Sequence, residues 1–324
     1  MLNVFITVDT ESWPSGTNVK GEDFLQAMHQ DIYGITSVGE FGIRYQIELL
    51  NRYGLKACFL LESLSADLFG RAHLSEIVKV IQEGGHEVQL HIHTEWLERI
   101  PDSMLPGRTG QHIRNFTEDE QTQIISRGLE NLRGSGAKNV CAFRAGNFGA
   151  NFDTLRALAR NGITYDTSHN TCFLGAACDM PTPTMFMQPK NIGGVYEFPV
   201  SFFRDRWSHF RPAHINACST AEMEHALLSA WKQGWSSFVV VSHSFELIHR
   251  RRKGRGQPRP NYIVVKRFEK LCQFLADNRD KFTTTMFSYL DPQAIPCELP
   301  AQPIQSNLFR TAQRYSEQLL SRMF

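Results

Sequence analysis

Apolar residues along this chain keep two alternating rhythms. Short β-rich runs at residues 2–8, 57–61, 87–93, 141–144, 163–165, 197–200, 237–241 and 283–289 predict strands. Between them, apolar positions recur every three to four residues, predicting helices over 41–53, 74–83, 117–133, the segment up to Arg160, 219–234 and 262–278. Punctuation agrees with both rhythms. Gly54 and Gly84-Gly85 stop two of the helices, and Thr117…Glu120 and Ser219…Glu222 read as capping boxes opening two others. Residues 12–40 and 167–196 lack periodicity and predict long loops.

Strand and helix alternate seven or eight times, which predicts an α/β fold with a parallel sheet covered by helices. A closed or nearly closed barrel fits better than an open sheet. The expected organisation is one domain over residues 1–295, with long loops at about 12–40, 94–116, 167–218 and 249–261. Residues 296–324 read as a C-terminal extension, helical from about 306. Its apolar positions Leu308, Tyr315, Leu319 and Leu320 would pack on the barrel or on a second subunit, a homo-oligomer.

Bulk properties narrow the function. The 324 residues are 42% hydrophobic, enough for a large core, and a net charge of +1 gives no field for nucleic acid. No run reaches the ~18 apolar residues of a membrane span. The seven cysteines form no C-x-x-C pair, and acids interrupt the N-terminus where a signal peptide would stay apolar. These features predict a cytoplasmic, reducing setting without membrane insertion.

In parallel barrels the chemistry sits at the C-terminal strand ends. The first strand runs into Asp9-Thr10-Glu11, two carboxylates two residues apart. On a strand they share a face, which a cation or a shared proton would stabilise; an exposed acidic turn weighs equally. His91 and His93 are likewise two apart at a strand end, a metal-ligand arrangement, with Glu95 next on that face. His86, at the start of the strand, reads as structural. Arg144 leaves a buried strand and needs an anion, followed by Gly146, Asn147, Phe148 and Gly149, whose glycines admit close approach of a ligand. Asp166 ends another strand, where it could orient Arg144 or another catalytic group, and His243 follows the apolar run 237–241, well placed as a general acid. Each signal is weak alone; five at successive strand ends are specific.

Taken in order, these motifs resemble the polysaccharide deacetylase family, the NodB-homology group or carbohydrate esterase family 4, over roughly residues 2–245. The resemblance implies a distorted (β/α) barrel of about seven parallel strands and one divalent metal, most often zinc. It also implies removal of acetyl groups from a carbohydrate or glycan precursor. It carries over Asp9 as catalytic base, Glu11, His91 and His93 as metal ligands, Arg144 orienting the base, Asp166 assisting, and His243 protonating the leaving group. Three departures mark a divergent branch. Thr10 splits the acids, so their two roles could be exchanged. Glu95 stands where the second histidine is expected, leaving His93 as ligand with Glu95 as its substitute. Gly146 replaces a proline. Trp13, Trp96 and Trp207 would stack on sugar rings or fill the core. The basic stretch 249–260, with Arg250 and Arg251, is a solvated loop or a clamp for an anionic substrate. Two rivals remain: a metal-dependent amidohydrolase of a small cyclic amide, and a metal-free glycan-binding protein on the same fold.

Overall fold

The computed structural model describes residues 1–14, 19–206, 209–250, 257–296 and 302–323, with the side chains of 206 and 318–323 excepted. Its centre is a nine-stranded sheet. In spatial order it runs Ser237–His243, Leu2–Thr10, Cys58–Glu62, Glu87–Ile92, Ala142–Ala145, Tyr165–Asp166, Val195–Glu197 and Lys190–Ile192, with Phe282–Thr284 also pairing with the first strand. Eight of the nine run parallel; Lys190–Ile192 is antiparallel to its neighbour. The sheet curls into a distorted (β/α) barrel, and among the described residues no ladder fully closes it. Irregular backbone bridges the gap: the Ser201 amide donates to Val239, the Val241 amide to Ala213, and the Ile215 amide to Val241.

Strand alternation sorts the side chains. On the first strand, Val4, Ile6 and Val8 face the covering helices and join the main core. Phe5 faces inward and packs with Cys58, Leu60, Ala142, Tyr165, Phe198, Val239 and Phe287, a plug that fills the barrel from its N-terminal end. Continuing inward every second residue come Thr7 and Asp9, then Glu11 just past the strand. The apolar plug thus gives way to polar groups toward the C-terminal mouth.

Several expectations are corrected. Residues 12–40 contain a helix, Gly21–Asp31, and a two-stranded turn, Ile35–Thr36 with Gly39–Glu40. The helix buries Phe24 and Met28, four residues apart, but its N-cap Lys20 offers no side-chain bond, so no capping signal announces it. The predicted loop 167–218 contributes four strands, including the antiparallel pair Phe202–Arg206 and His209–Pro212. The strand predicted at 197–200 lies at Val195–Glu197, and that at 283–289 is Phe282–Thr284 followed by a 3-10 turn. Both capping boxes form as predicted.

The tail helix, Leu308–Met323, packs on its own domain. Arg314 is buried against it, with Nη2 2.7 Å from Asp205 and Nε 3.1 Å from Glu222. Arg267 reaches Glu317 at 2.7 Å.

Candidate active site

Four strand ends deliver the polar groups to one mouth. Register explains the convergence: Asp9 lies beside His243 on one neighbouring strand, and His91 lies beside Arg144. Glu11, His91 and His93 are buried, and one donor atom from each lies within 4.8 Å of the others. Glu11 Oε2 sits 2.5 Å from His93 Nε2 and 3.3 Å from His91 Nε2, yet it has no well-aligned hydrogen bond. The three donor atoms are close enough together to share one cation.

The outer side of each imidazole is anchored. His91 Nδ1 lies 2.8 Å from the Arg144 carbonyl, an acceptor, so Nδ1 carries the proton and Nε2 is free to ligate. His93 Nδ1 lies 3.3 Å from Glu95 Oε2, and Asn147 donates to Glu95 Oε1 at 2.9 Å. Such backing is what metal-bound histidines ordinarily have. Glu95 therefore stands behind His93 instead of replacing it. The strand ends at Ile92 and Thr94–Glu98 is a 3-10 turn, so the two-residue alternation that would have turned Glu95 inward stops at His93. Electrostatics agree. Burial pushes the Glu11 carboxyl up, but the two imidazoles outweigh it and hold the group well below the usual carboxylate range. Burial lowers His93, yet Glu11 and Glu95 raise it to about 10. The cluster favours a positive charge at its centre, a proton or a metal ion.

Asp9 stands beside this cluster. Its Oδ1 accepts from Arg144 Nη1 at 2.6 Å, a fully buried guanidinium that also donates to Thr7 Oγ1. Burial pushes Asp9 up, but Arg144, His91 and His243 together keep its carboxyl lowered. Asp9 Oδ2 lies 3.8 Å from His243 Nε2, and Glu11 Oε1 lies 3.9 Å from the same nitrogen. His243 Nδ1 is 3.1 Å from Glu246, whose Oε1 is also 2.5 Å from His214 Nε2.

The structure departs from the expected role of Asp166. Arg144 Nε donates to the Thr167 carbonyl at 3.0 Å, and Nη2 reaches the Thr167 hydroxyl at 3.3 Å. Asp166 instead accepts from Ser168 at 2.6 Å and faces Glu197, where burial keeps both carboxyls raised. The residue after the strand end, not the strand's last residue, holds the arginine.

A cleft of about 470 Å³ opens over these groups, lined by Asp9, Glu11, His91, His93 and His243 on its floor and by Asn147, Phe148 and Phe173 among its walls. The Phe148 and Phe173 rings stack 5.7 Å apart. Asn147 and Phe148 both have positive φ, 54° and 57°; asparagine tolerates this readily, but it is rare for a residue as bulky as Phe148. Gly146 is required here, because a Cβ would come within 2.6 Å of the His93 ring.

Other candidates sit elsewhere. Trp96 is 1% exposed and packs against Phe24, Phe69 and Trp13, so it fills the core and offers no face to a sugar. Trp13 sets its ring edge-on to His93 at 4.6 Å. Arg250 is committed to buried Asp31 at 2.6 Å and stacks on Phe245, so it is no free anion clamp. Arg251 and Trp207 lie outside the described residues. Sequence reasoning missed Thr7, Thr167, His214, Glu246 and Phe173. Alternation from Asp9 would have found Thr7, but the others depend on contacts between distant segments or on loop conformation.

No family model matches the chain, and no curated protein does. Among solved structures it is similar to a candidate polysaccharide deacetylase from Mycobacterium smegmatis, at 16% identity over 93% of this chain and 94% of that one, with a TM-score of 0.52. It also matches a family 4 carbohydrate esterase from Streptomyces lividans in complex with acetate, at 14% identity, 92% and 98% coverage and a TM-score of 0.46. A family 4 pseudoenzyme from Bacillus anthracis matches at 9% identity, 94% and 69% coverage and a TM-score of 0.44. The first of these likenesses shows a shared fold.

Proposed function

We propose that this chain is a divergent member of the polysaccharide deacetylase family, a metal-dependent hydrolase that removes an acetyl group from an amino sugar or a related glycan precursor. The observation that carries the reading is the joint convergence of Glu11, His91 and His93 with the Asp9–Arg144 pair and His243 under one cleft. Fold likeness alone would not carry it.

Two imidazoles and a carboxylate with anchored outer faces suit a divalent metal, and zinc best among common ions. When bound by Glu11, His91 and His93, such an ion supplies Lewis acidity and lowers the pKa of the attacking water toward about 7. The chain's own residues do the rest. Arg144 and its neighbours keep Asp9 ionised, with Oδ2 turned to the cleft as the base that takes the water proton. Water oxygen bonds to the acyl carbon, and the carbon–nitrogen bond then breaks. His243, across the cleft floor from Asp9, gives its Nε2 proton to the departing amine, so acetate and a free amino sugar result.

The test uses zinc-supplemented protein and N-acetylchitooligosaccharides, with released acetate as the readout. The reading predicts turnover in wild type and a fall of at least about 100-fold in Asp9→Asn, within the range for loss of a general base. Full turnover in Asp9→Asn would remove Asp9 from the base role.

A further inference from the structure

Glu246 and His214 are two buried or half-buried groups that the mechanism above does not use. Glu246 is buried beneath His243, and its Oε1 gathers three donors: His243 Nδ1 at 3.1 Å, His214 Nε2 at 2.5 Å and Asn216 Nδ2 at 2.7 Å. Its Oε2 lies 3.4 Å from the Ser242 hydroxyl. The backbone builds this arrangement twice over. The Glu246 amide turns back to the His243 carbonyl, and His214 forms a parallel bridge to Val241, two residues before His243. The Gln46 side chain fixes the His243 carbonyl from a third element.

The geometry points to Glu246, braced by His214, as the positioning group for His243. A carboxylate oxygen only accepts, so the bond to Glu246 requires the His243 proton at Nδ1. The ring is then held with Nε2 aimed at Asp9 and Glu11 across the cleft floor. The negative charge of Glu246 also stabilises the imidazolium that must stand ready to donate from Nε2. His214 and Asn216 keep the carboxylate in one rotamer and satisfy it while it is buried. Asp166, the sequence candidate for orienting Arg144 or another catalytic group, instead faces Glu197 and Ser168. The chain thus supplies the partner from three residues beyond the histidine. The same three side chains also qualify as a metal cluster by spacing. A carboxylate already satisfied by three donors needs no cation, so positioning is the reading favoured here.

This inference rests on the hydrolase reading, and its test separates the two. A leaving-group series of acetate esters, from 4-nitrophenyl through 4-methoxyphenyl to ethyl acetate, is run beside N-acetylchitotetraose. Nitrophenolate departs without a proton, whereas an alkoxide or an amine needs one. Glu246→Gln keeps the shape and an acceptor oxygen but not the charge; Glu246→Ala removes both. We expect kcat on ethyl acetate and the acetamide to fall roughly 10- to 100-fold in Glu246→Ala, with KM within about threefold and 4-nitrophenyl acetate nearly unaffected. Glu246→Gln should lie between the two, and His214→Ala should follow the same pattern more weakly. Equal losses across the series, or none, would overturn the assignment. Downfield proton NMR supplies a readout independent of activity: a slowly exchanging proton on His243 Nδ1 in wild type, lost in Glu246→Ala. Its absence from wild type, or a metal ion bound at His214, His243 and Glu246 in zinc-loaded protein, would also overturn it. No turnover of any substrate by zinc-loaded wild type, with the Nδ1 proton present, would defeat the hydrolase reading and leave the positioning geometry standing.

Discussion

Asp9 and Arg144 show why individual residues carry so much of this account. Arg144 is fully buried and Asp9 nearly so, 2.6 Å apart. Each partner compensates the desolvation of the other, and removing one strands a buried charge at a cost of about 3–5 kcal/mol. Arg144→Met should lower unfolding free energy by about that amount in denaturant titration; a loss below about 1 kcal/mol would mean the pair is not closed in solution. Glu246 gives a pH signature. Burial pushes its carboxyl up, but His214 and His243 hold it down at about 2, against about 4.3 for an unfolded chain. A depressed folded value contributes stability that is complete above the unfolded value and is lost as pH falls through the folded one. The stability deficit of Glu246→Gln should therefore be largest near pH 5–6 and shrink between about pH 4 and 2. A deficit independent of pH would contradict the pairing. At this scale the sequence was readable where side-chain direction follows strand alternation, as for Asp9 with Glu11 and His91 with His93. It was unreadable where the chain leaves a strand: Thr167 took the contact expected of Asp166, and a 3-10 turn set Glu95 behind His93.

Among the elements, the segment after the arginine strand packs closely against the Glu11–His91–His93 cluster. Gly146 lies under the His93 ring with no room for a Cβ. Gly146→Ala should displace His93 and weaken zinc binding by roughly 10- to 100-fold while circular dichroism stays native, an effect of the size seen when a ligand's support is lost. Unchanged zinc affinity would show that the ring moves freely. The tail helix is pinned differently, by buried Arg314 between Asp205 and Glu222. Arg314→Ala leaves buried Glu222 without its cation, while Asp205 keeps Arg211 and His209, and should cost about 3–5 kcal/mol, with the tail becoming sensitive to limited proteolysis. A tail that stays protected would contradict its dependence on that pair. Elements with strong periodicity or a capping box were legible; Glu118–Gly134 opens at Thr117 as its sequence says. The helix Gly21–Asp31 was not, because it lacks a capping side chain and buries only a narrow stripe.

For the whole molecule, parallel strands are what turn scattered motifs into a site. Residues from positions 9 to 246 meet because every contributing strand points its C-terminal end at the same mouth. The motif order therefore predicted the convergence, whereas the closing segments around Ser201 and Ala213 followed no periodic pattern and emerged only with the fold. Among the described residues no helix is long and apolar enough to cross a membrane. The central claim is that Glu11, His91 and His93 form one metal site. It is tested most directly by measuring metal content in protein purified without chelator and re-equilibrated with zinc, for wild type and for His91→Ala/His93→Ala. The account predicts about one zinc per chain in wild type and none held by the double variant. Wild type that takes up no zinc, or a double variant that holds it equally well, would contradict it.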